Sequence, residues 1–159
     1  MAGKAIRVTF LMVLVGYGFV LLSSYFSYIE PYLFPLRMIQ GKARPLTENI
    51  IIGPYPHRED LEKLKKVSGV KVVISLLDPS MPFEESLIEK ERRIAEDLSL
   101  NFYNVPINYL NLNSPENNRN VLRIKEILKK HIGEKVYIHC YLGRHRVDFV
   151  GRRLLGVMR

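Results

Sequence analysis

Lys135-Val136-Tyr137-Ile138-His139-Cys140-Tyr141-Leu142-Gly143-Arg144-His145-Arg146 decides the fold. Four residues of strand character run without interruption into a loop that holds the only cysteine of the chain, with a glycine three positions and an arginine six positions beyond it. A strand that empties through such a loop into a helix gathers unpaired N–H groups and the positive end of a helix dipole at one point, which favours an anion. The same field draws a thiol toward its thiolate form. Gly143 lets the backbone curl so that successive N–H groups face inward as a nest. Arg146 brings a planar fork that can hold two oxygens of a phosphoryl group, which a lysine cannot do. The expectation is a loop of Tyr141, Leu142, Gly143, Arg144, His145 and Arg146 that encircles a phosphate while Cys140 attacks its phosphorus. His139 is expected to face the structure behind the loop.

A single cysteine excludes an intramolecular disulfide and any multi-cysteine metal site, which leaves a buried filler or a reactive thiol. The strand before it and the helix after it favour the second. No metal-ligand spacing is present, and no cofactor is expected.

Upstream, periodicity alternates between strand and helix. Strands are expected at Asn49–Gly53, Lys71–Leu76, Asn101–Val105 and Lys135–Ile138. Helices are expected over 58–67, 84–98, from Pro115 (capped by Ser114) to Gly133, and from 147 to about 157. This pattern implies an α/β fold, a small, mostly parallel sheet flanked by helices, in a domain spanning 47–159. Pro31, Pro35, Gly41 and Pro45 mark residues 31–46 as a juxtamembrane linker.

Residues 1–30 have a different character. From Val8 to Ile29 there are 22 residues without a charge. As a helix they would extend roughly 33 Å, enough to cross a hydrocarbon core. Tyr25, Phe26, Tyr28, Tyr32 and Phe34 cluster at one end as an interfacial belt would. The run exceeds a signal-peptide core and lacks a small-residue cleavage site, so an uncleaved single-pass anchor is expected. A reactive thiol survives best in a reducing compartment, which favours a cytoplasmic catalytic domain. The net charge is +8, half of it within residues 1–46 around the apolar run. No interleaving of aromatic and basic residues suits a nucleic acid, which is not expected as a partner.

The segment 47–159 resembles the cysteine-phosphatase superfamily whose signature is His-Cys-x5-Arg, here His139-Cys140 to Arg146, and among its small dual-specificity-like members it is most similar to the atypical phosphatases of plants and fungi. Gly143-Arg144-His145-Arg146, Ile50-Ile51-Ile52-Gly53-Pro54-Tyr55-Pro56 and Val72-Val73-Ile74-Ser75-Leu76 carry the likeness. The resemblance implies Cys140 as nucleophile, Arg146 as phosphate clamp, a phosphocysteine intermediate and a phosphorylated protein or small phosphorylated ligand as partner. A phosphotyrosine-type protein is the expected substrate, with an inositol (pyro)phosphate or lipid phosphate as alternatives.

Two positions depart from that pattern. Val147 stands where the family has Ser or Thr, whose hydroxyl stabilises the departing thiolate. Asn108 stands where the family has its acid aspartate, and an amide cannot give up a proton. Asp78, just beyond a central strand, is the replacement candidate for the acid; its competing reading is an Asx-turn before Pro79 and Ser80. Glu84, Glu85 and Glu116 are poorer reserves. These departures also allow a phosphate-binding protein that no longer turns substrate over. The family normally continues further past the loop, so the domain is expected to be short at its C-terminus.

Overall fold

The computed structural model describes residues 2–32 and 39–156. Helix α1, Ala2–Ser24, is followed by a short helix α2, Phe26–Ile29, and a single 3₁₀ turn at Glu30–Tyr32. The domain then runs β1 (Arg44–Pro45), β2 (Ile50–Gly53), α3 (Arg58–Lys63, continued by a π turn to Ser68), β3 (Val70–Ser75), α4 (Pro82–Asp97), β4 (Asn101–Asn104), α5 (Pro115–Lys130), β5 (Lys135–His139) and α6 (His145–Leu154). The sheet order is β1-β2-β5-β3-β4, with β1 antiparallel to β2 and the other pairs parallel. The α/β architecture expected from the alternating pattern is therefore present.

Both faces of the sheet are covered, as a parallel sheet requires. Along β3 and β5 the side chains alternate: Val72, Ile74, Val136 and Ile138 enter the core that includes Val121, Ile124, Phe149 and Val150. Val73 and Tyr137 turn to the opposite face, against Leu61, Ile94 and Ala95, where Val70 also lies because an irregularity between Val70 and Val72 breaks the alternation at the start of β3. This period of two is why the near-continuous apolar run at 70–76 reads as a central strand. Ser114 caps α5 by accepting a hydrogen bond from the Asn117 N–H, with Pro115 in the first turn.

Two boundaries differ from the sequence expectation. Strand β1 lies ahead of Thr47, where the domain was expected to begin; a two-residue edge strand containing proline carries no periodic signal. The last helix spans His145–Leu154 rather than 147 to about 157, and residue 157 lies outside the described residues, as do Phe34, Pro35 and Arg37.

Helix α1 has no apolar face turned inward. From Arg7 to Ser24 its mean hydropathy is 1.7 and only 6% of that stretch is buried. Its far end behaves differently: Ser23, Ser27 and Glu30 are buried against the domain, and Lys90 of α4 donates to the Ser27 carbonyl at 2.7 Å.

Candidate active site

All four parallel strands end on one edge of the sheet, where open α/β sheets assemble their sites. Strand β5 delivers Cys140 there, and the loop passes directly into α6. Gly143 takes a left-handed φ of +67°. A Cβ at this position would lie 2.6 Å from the Gly53 carbonyl carbon and 2.8 Å from the Pro54 Cα. Only glycine lets the loop fold this tightly over the end of β2.

The loop is supported from outside. The Tyr141 carbonyl accepts from Gln40 Nε2 (3.2 Å) and Tyr55 N (3.2 Å), the Leu142 carbonyl from Gly41 N (2.8 Å), and the Gly143 carbonyl from Arg44 Nη1 (3.4 Å). In a trans-planar peptide the C=O and the following N–H point in opposite directions. Three carbonyls held outward therefore turn the N–H groups of Leu142, Gly143 and Arg144 away from these donors. Residues 40–44, expected to be linker, supply all of these donors except Tyr55 N. Arg44 also pairs with Asp148 in the first turn of α6.

Arg146 is buried, as is its partner Glu84 on α4. Nη1 donates to Glu84 Oε2 (2.9 Å) and to the Leu76 carbonyl (3.0 Å), and Nη2 donates to Glu84 Oε1 (2.6 Å). Burial would lower the guanidinium pKa, but the hydrogen bonds and charge of Glu84, followed by those of Cys140, outweigh it and the net shift is upward. A guanidinium has five N–H donors. The end-on pair with Glu84 uses Nη1 and one proton of Nη2, which leaves the parallel Nε and Nη2 protons of one edge for an oxyanion.

Cys140 is buried at 3% exposure and opens onto a cavity of about 220 Å³ lined by Phe83, Glu84, Tyr109, Cys140, Tyr141, Leu142, His145 and Arg146. The Tyr109 ring stands 5.8 Å from the Arg146 guanidinium carbon. Larger hollows lie at the foot of α1 and beside α3, but neither is lined by Cys140 or Arg146. Behind the loop, Glu91 Oε1 sits 2.6 Å from His139 Nε2, both wholly buried, and the imidazole stacks on Tyr137. His139 thus faces the structural side of the loop, where the sequence placed it.

Asp78 sits at the expected sheet edge, but its carboxylate is turned into its own loop. Oδ1 accepts from the Ser80 N–H at 3.0 Å and from the Ser80 hydroxyl at 2.7 Å, and the residue does not line the cavity. The short side chain finds donors two residues on and closes the Asx-turn. Asn108 is likewise used locally, accepting from Leu110 N at 2.9 Å, while the buried Asn117 side chain ties together the carbonyls of Asn108, Asn111 and Leu112. Glu84 is no free acid: it holds Arg146 and accepts from the Asp78 N–H at 2.6 Å. Sequence reasoning missed Glu84 and Glu91 as structural carboxylates. The available signal was their position on the same helical stripe as Leu87, Ile88, Ile94 and Ala95, where charge has no business without a partner.

No protein-family model and no curated protein matches this chain. Solved structures do. A DUF442 phosphatase candidate from Shewanella putrefaciens CN-32 aligns in two structures with TM-scores of 0.59 and 0.60 at 19% and 18% identity; the first alignment covers 76% of either chain, the second 78% of this chain and 74% of that one. The core catalytic domain of the PP-IP phosphatase SIW14 from S. cerevisiae aligns with a TM-score of 0.59 at 16% identity, over 74% of this chain and 66% of that one. At such identities the likeness is one of fold: the chain shares the α/β architecture of these domains.

Proposed function

We propose that this protein is a membrane-anchored phosphoric monoester hydrolase that works through a phosphocysteine. The observation that carries the reading is the convergence on one cavity of Cys140, at the mouth of a loop whose carbonyls are held outward, and a guanidinium already held in place by Glu84. The phosphoryl oxygens would take the N–H groups of Leu142, Gly143 and Arg144 and the free edge of Arg146. The Cys140 Sγ attacks phosphorus, the S–P bond forms, and the ester oxygen leaves with the bonding pair and takes up a proton. Water then attacks phosphorus, the S–P bond breaks, and inorganic phosphate departs as the thiolate returns. Preorganised donors favour this step because they need no rearrangement as charge moves.

Among the described residues, the one carboxylate that lines the cavity, Glu84, is held by Arg146, so leaving groups that need little protonation are favoured. That chemistry suits the aryl oxygen of phosphotyrosine, the expected protein substrate of a tyrosine or dual-specificity type, and equally a phosphoanhydride such as that of an inositol pyrophosphate. The exposed apolar helix α1 supports single-pass anchoring, with the reactive thiol on the cytoplasmic side.

The test is release of inorganic phosphate from an aryl phosphate by the full chain in detergent. Turnover that disappears in Cys140→Ser is the expected result. Phosphate binding without release in the parent protein would instead favour the reading motivated by Val147 and Asn108, a phosphate-binding protein that does not turn over.

A further inference from the structure

A hollow of about 670 Å³ lies at the foot of α1, and its depth in a bilayer follows from the helix beside it. The apolar stretch Arg7–Ser24 extends roughly 27 Å as a helix, close to the thickness of a hydrocarbon core of about 30 Å. Ser24, Ser27 and Tyr28, at the end of that stretch and just beyond it, line the hollow. Its other walls come from the start of α3 and from α4. Tyr25 and Tyr28 are exposed and in ring contact, as an interfacial belt places them. The hollow therefore sits at headgroup depth, and it shares no lining residue with the cavity of Cys140.

Charge selects the ligand. Arg58 is taken up by Asp97 and Glu89 by Arg92, so neither leaves an uncompensated charge in the hollow. What remains is Lys90 and Arg93 against Glu59, an excess of positive charge. Among the described residues neither of these cations has a carboxylate partner. Lys90 gives one of its three protons to the Ser27 carbonyl at 2.7 Å, which pins the ammonium beside the end of the span with two protons to spare. Arg93 follows three residues later on the same face of α4, and its planar fork suits the oxygens of a phosphate. Two like charges at that spacing repel, and an anion between them relieves the repulsion.

We propose that this hollow binds the headgroup phosphate of an anionic membrane phospholipid, which Lys90 and Arg93 hold and the protein leaves intact. The proposal goes beyond the hydrolase reading and rests on α1 spanning the membrane. Basic pockets beside a membrane span hold such headgroups because the anionic leaflet concentrates them there. A lipid bound in this way fastens α4 to the bilayer at a second point, next to the attachment made by α1. Because α4 also carries Glu84, the partner of Arg146, the headgroup site and the guanidinium clamp share one helix.

The test uses the full chain in a non-ionic detergent with equimolar phosphatidylglycerol and phosphatidylcholine, the lipids retained being counted by native mass spectrometry. Phosphatidylglycerol is a phosphodiester, so its retention is read without turnover by a monoester hydrolase. The parent should retain it over phosphatidylcholine by about thirtyfold, the factor that two basic groups supply near a charged headgroup. Arg93→Gln should lower that ratio about fivefold and the Lys90→Gln/Arg93→Gln pair should bring it near one, in proteins matched to the parent by thermal unfolding. Arg123→Gln/Lys125→Gln, on α5 across the sheet, should leave the ratio unchanged. A parent ratio near one, a ratio that survives Arg93→Gln, or an equal fall in the α5 pair overturns the proposal. Displacement of phosphatidylglycerol by inorganic phosphate at equal concentration also overturns it, by making the hollow a site for the free ion. Alkaline carbonate extraction from vesicles tests the anchor separately. A chain released by it removes the span and this proposal together, whereas a chain that stays and shows no lipid preference overturns the proposal alone.

Discussion

Replacing Glu84 by alanine would leave the Arg146 guanidinium buried at 6% exposure, with no carboxylate partner among the described residues and only the Leu76 carbonyl and Cys140 beside it. The substitution removes two charge-assisted bonds of 2.6 and 2.9 Å and the acceptor of the Asp78 N–H. Breaking one side of a buried pair costs about 3–5 kcal/mol, most of it from the charge left behind. For a domain of this size that loss lowers the melting temperature by on the order of 10–20 °C. The measurement is thermal unfolding of the full chain in detergent, with Glu84→Ala, Arg146→Met and the double variant closing a cycle. Removing both charges costs less than the two single losses combined, so the coupling should be at least about 2 kcal/mol. Inorganic phosphate should restore part of the Glu84→Ala loss, about 2.7 kcal/mol at a hundredfold excess over Kd, because an oxyanion on the free edge neutralises the stranded cation. Additive single losses, or a Glu84→Ala protein within about 1 kcal/mol of the parent, would refute the clamp.

Gly143→Ala combines a left-handed φ with a Cβ driven into Gly53 and Pro54, and an ångström of loop displacement should lower kcat/KM about 100-fold while the fold persists by circular dichroism. Val147 is fully buried in the same core cluster as Cys140; Val147→Thr restores a hydroxyl near the leaving thiolate and should raise steady-state turnover about tenfold without changing the burst of aryl alcohol in stopped flow. Asp78→Asn keeps the acceptor used by Ser80 and should change aryl phosphate turnover by less than about tenfold, whereas a drop of 10² or more in steady-state assay would reinstate Asp78 as the acid. Burial, then the charge and hydrogen bond of Glu30, push the Tyr141 phenol up to about 12 from 10.0. A raised pKa favours the protonated folded form, so this stabilisation is complete below pH 10 and is lost as pH rises from 10 toward 12; Tyr141→Phe should flatten that part of a melting-temperature profile.

The sequence made part of this site legible because part of it is local. A strand, a cysteine, a glycine and an arginine within twelve consecutive residues carry their own geometry, and the alternation of Val72, Val73 and Ile74 carries its own burial pattern. Glu84 meets Arg146 across 62 residues, and Gln40 and Arg44 reach the loop across 101 and 99. No periodicity within a helix or linker announces partners so far away. Strand β1 is hidden for a related reason: its two residues become a strand only because β2 supplies the ladder.

The role of residues 40–44 was missed for one physical cause, which is that the cysteine loop has two sides. Reading the sequence from the cavity identifies the groups that must face inward, yet a planar peptide cannot turn its N–H inward without turning the preceding C=O outward. Those carbonyls need donors, and residues 40–44 provide them. Because the loop is only half-buried at Tyr141 and Leu142, water could replace the lost donors at little cost in stability. What water cannot replace is the fixed direction of three successive peptides. The contribution of residues 40–44 therefore lies in the preorganisation of the loop, from a place in the chain between the apolar helix and the sheet.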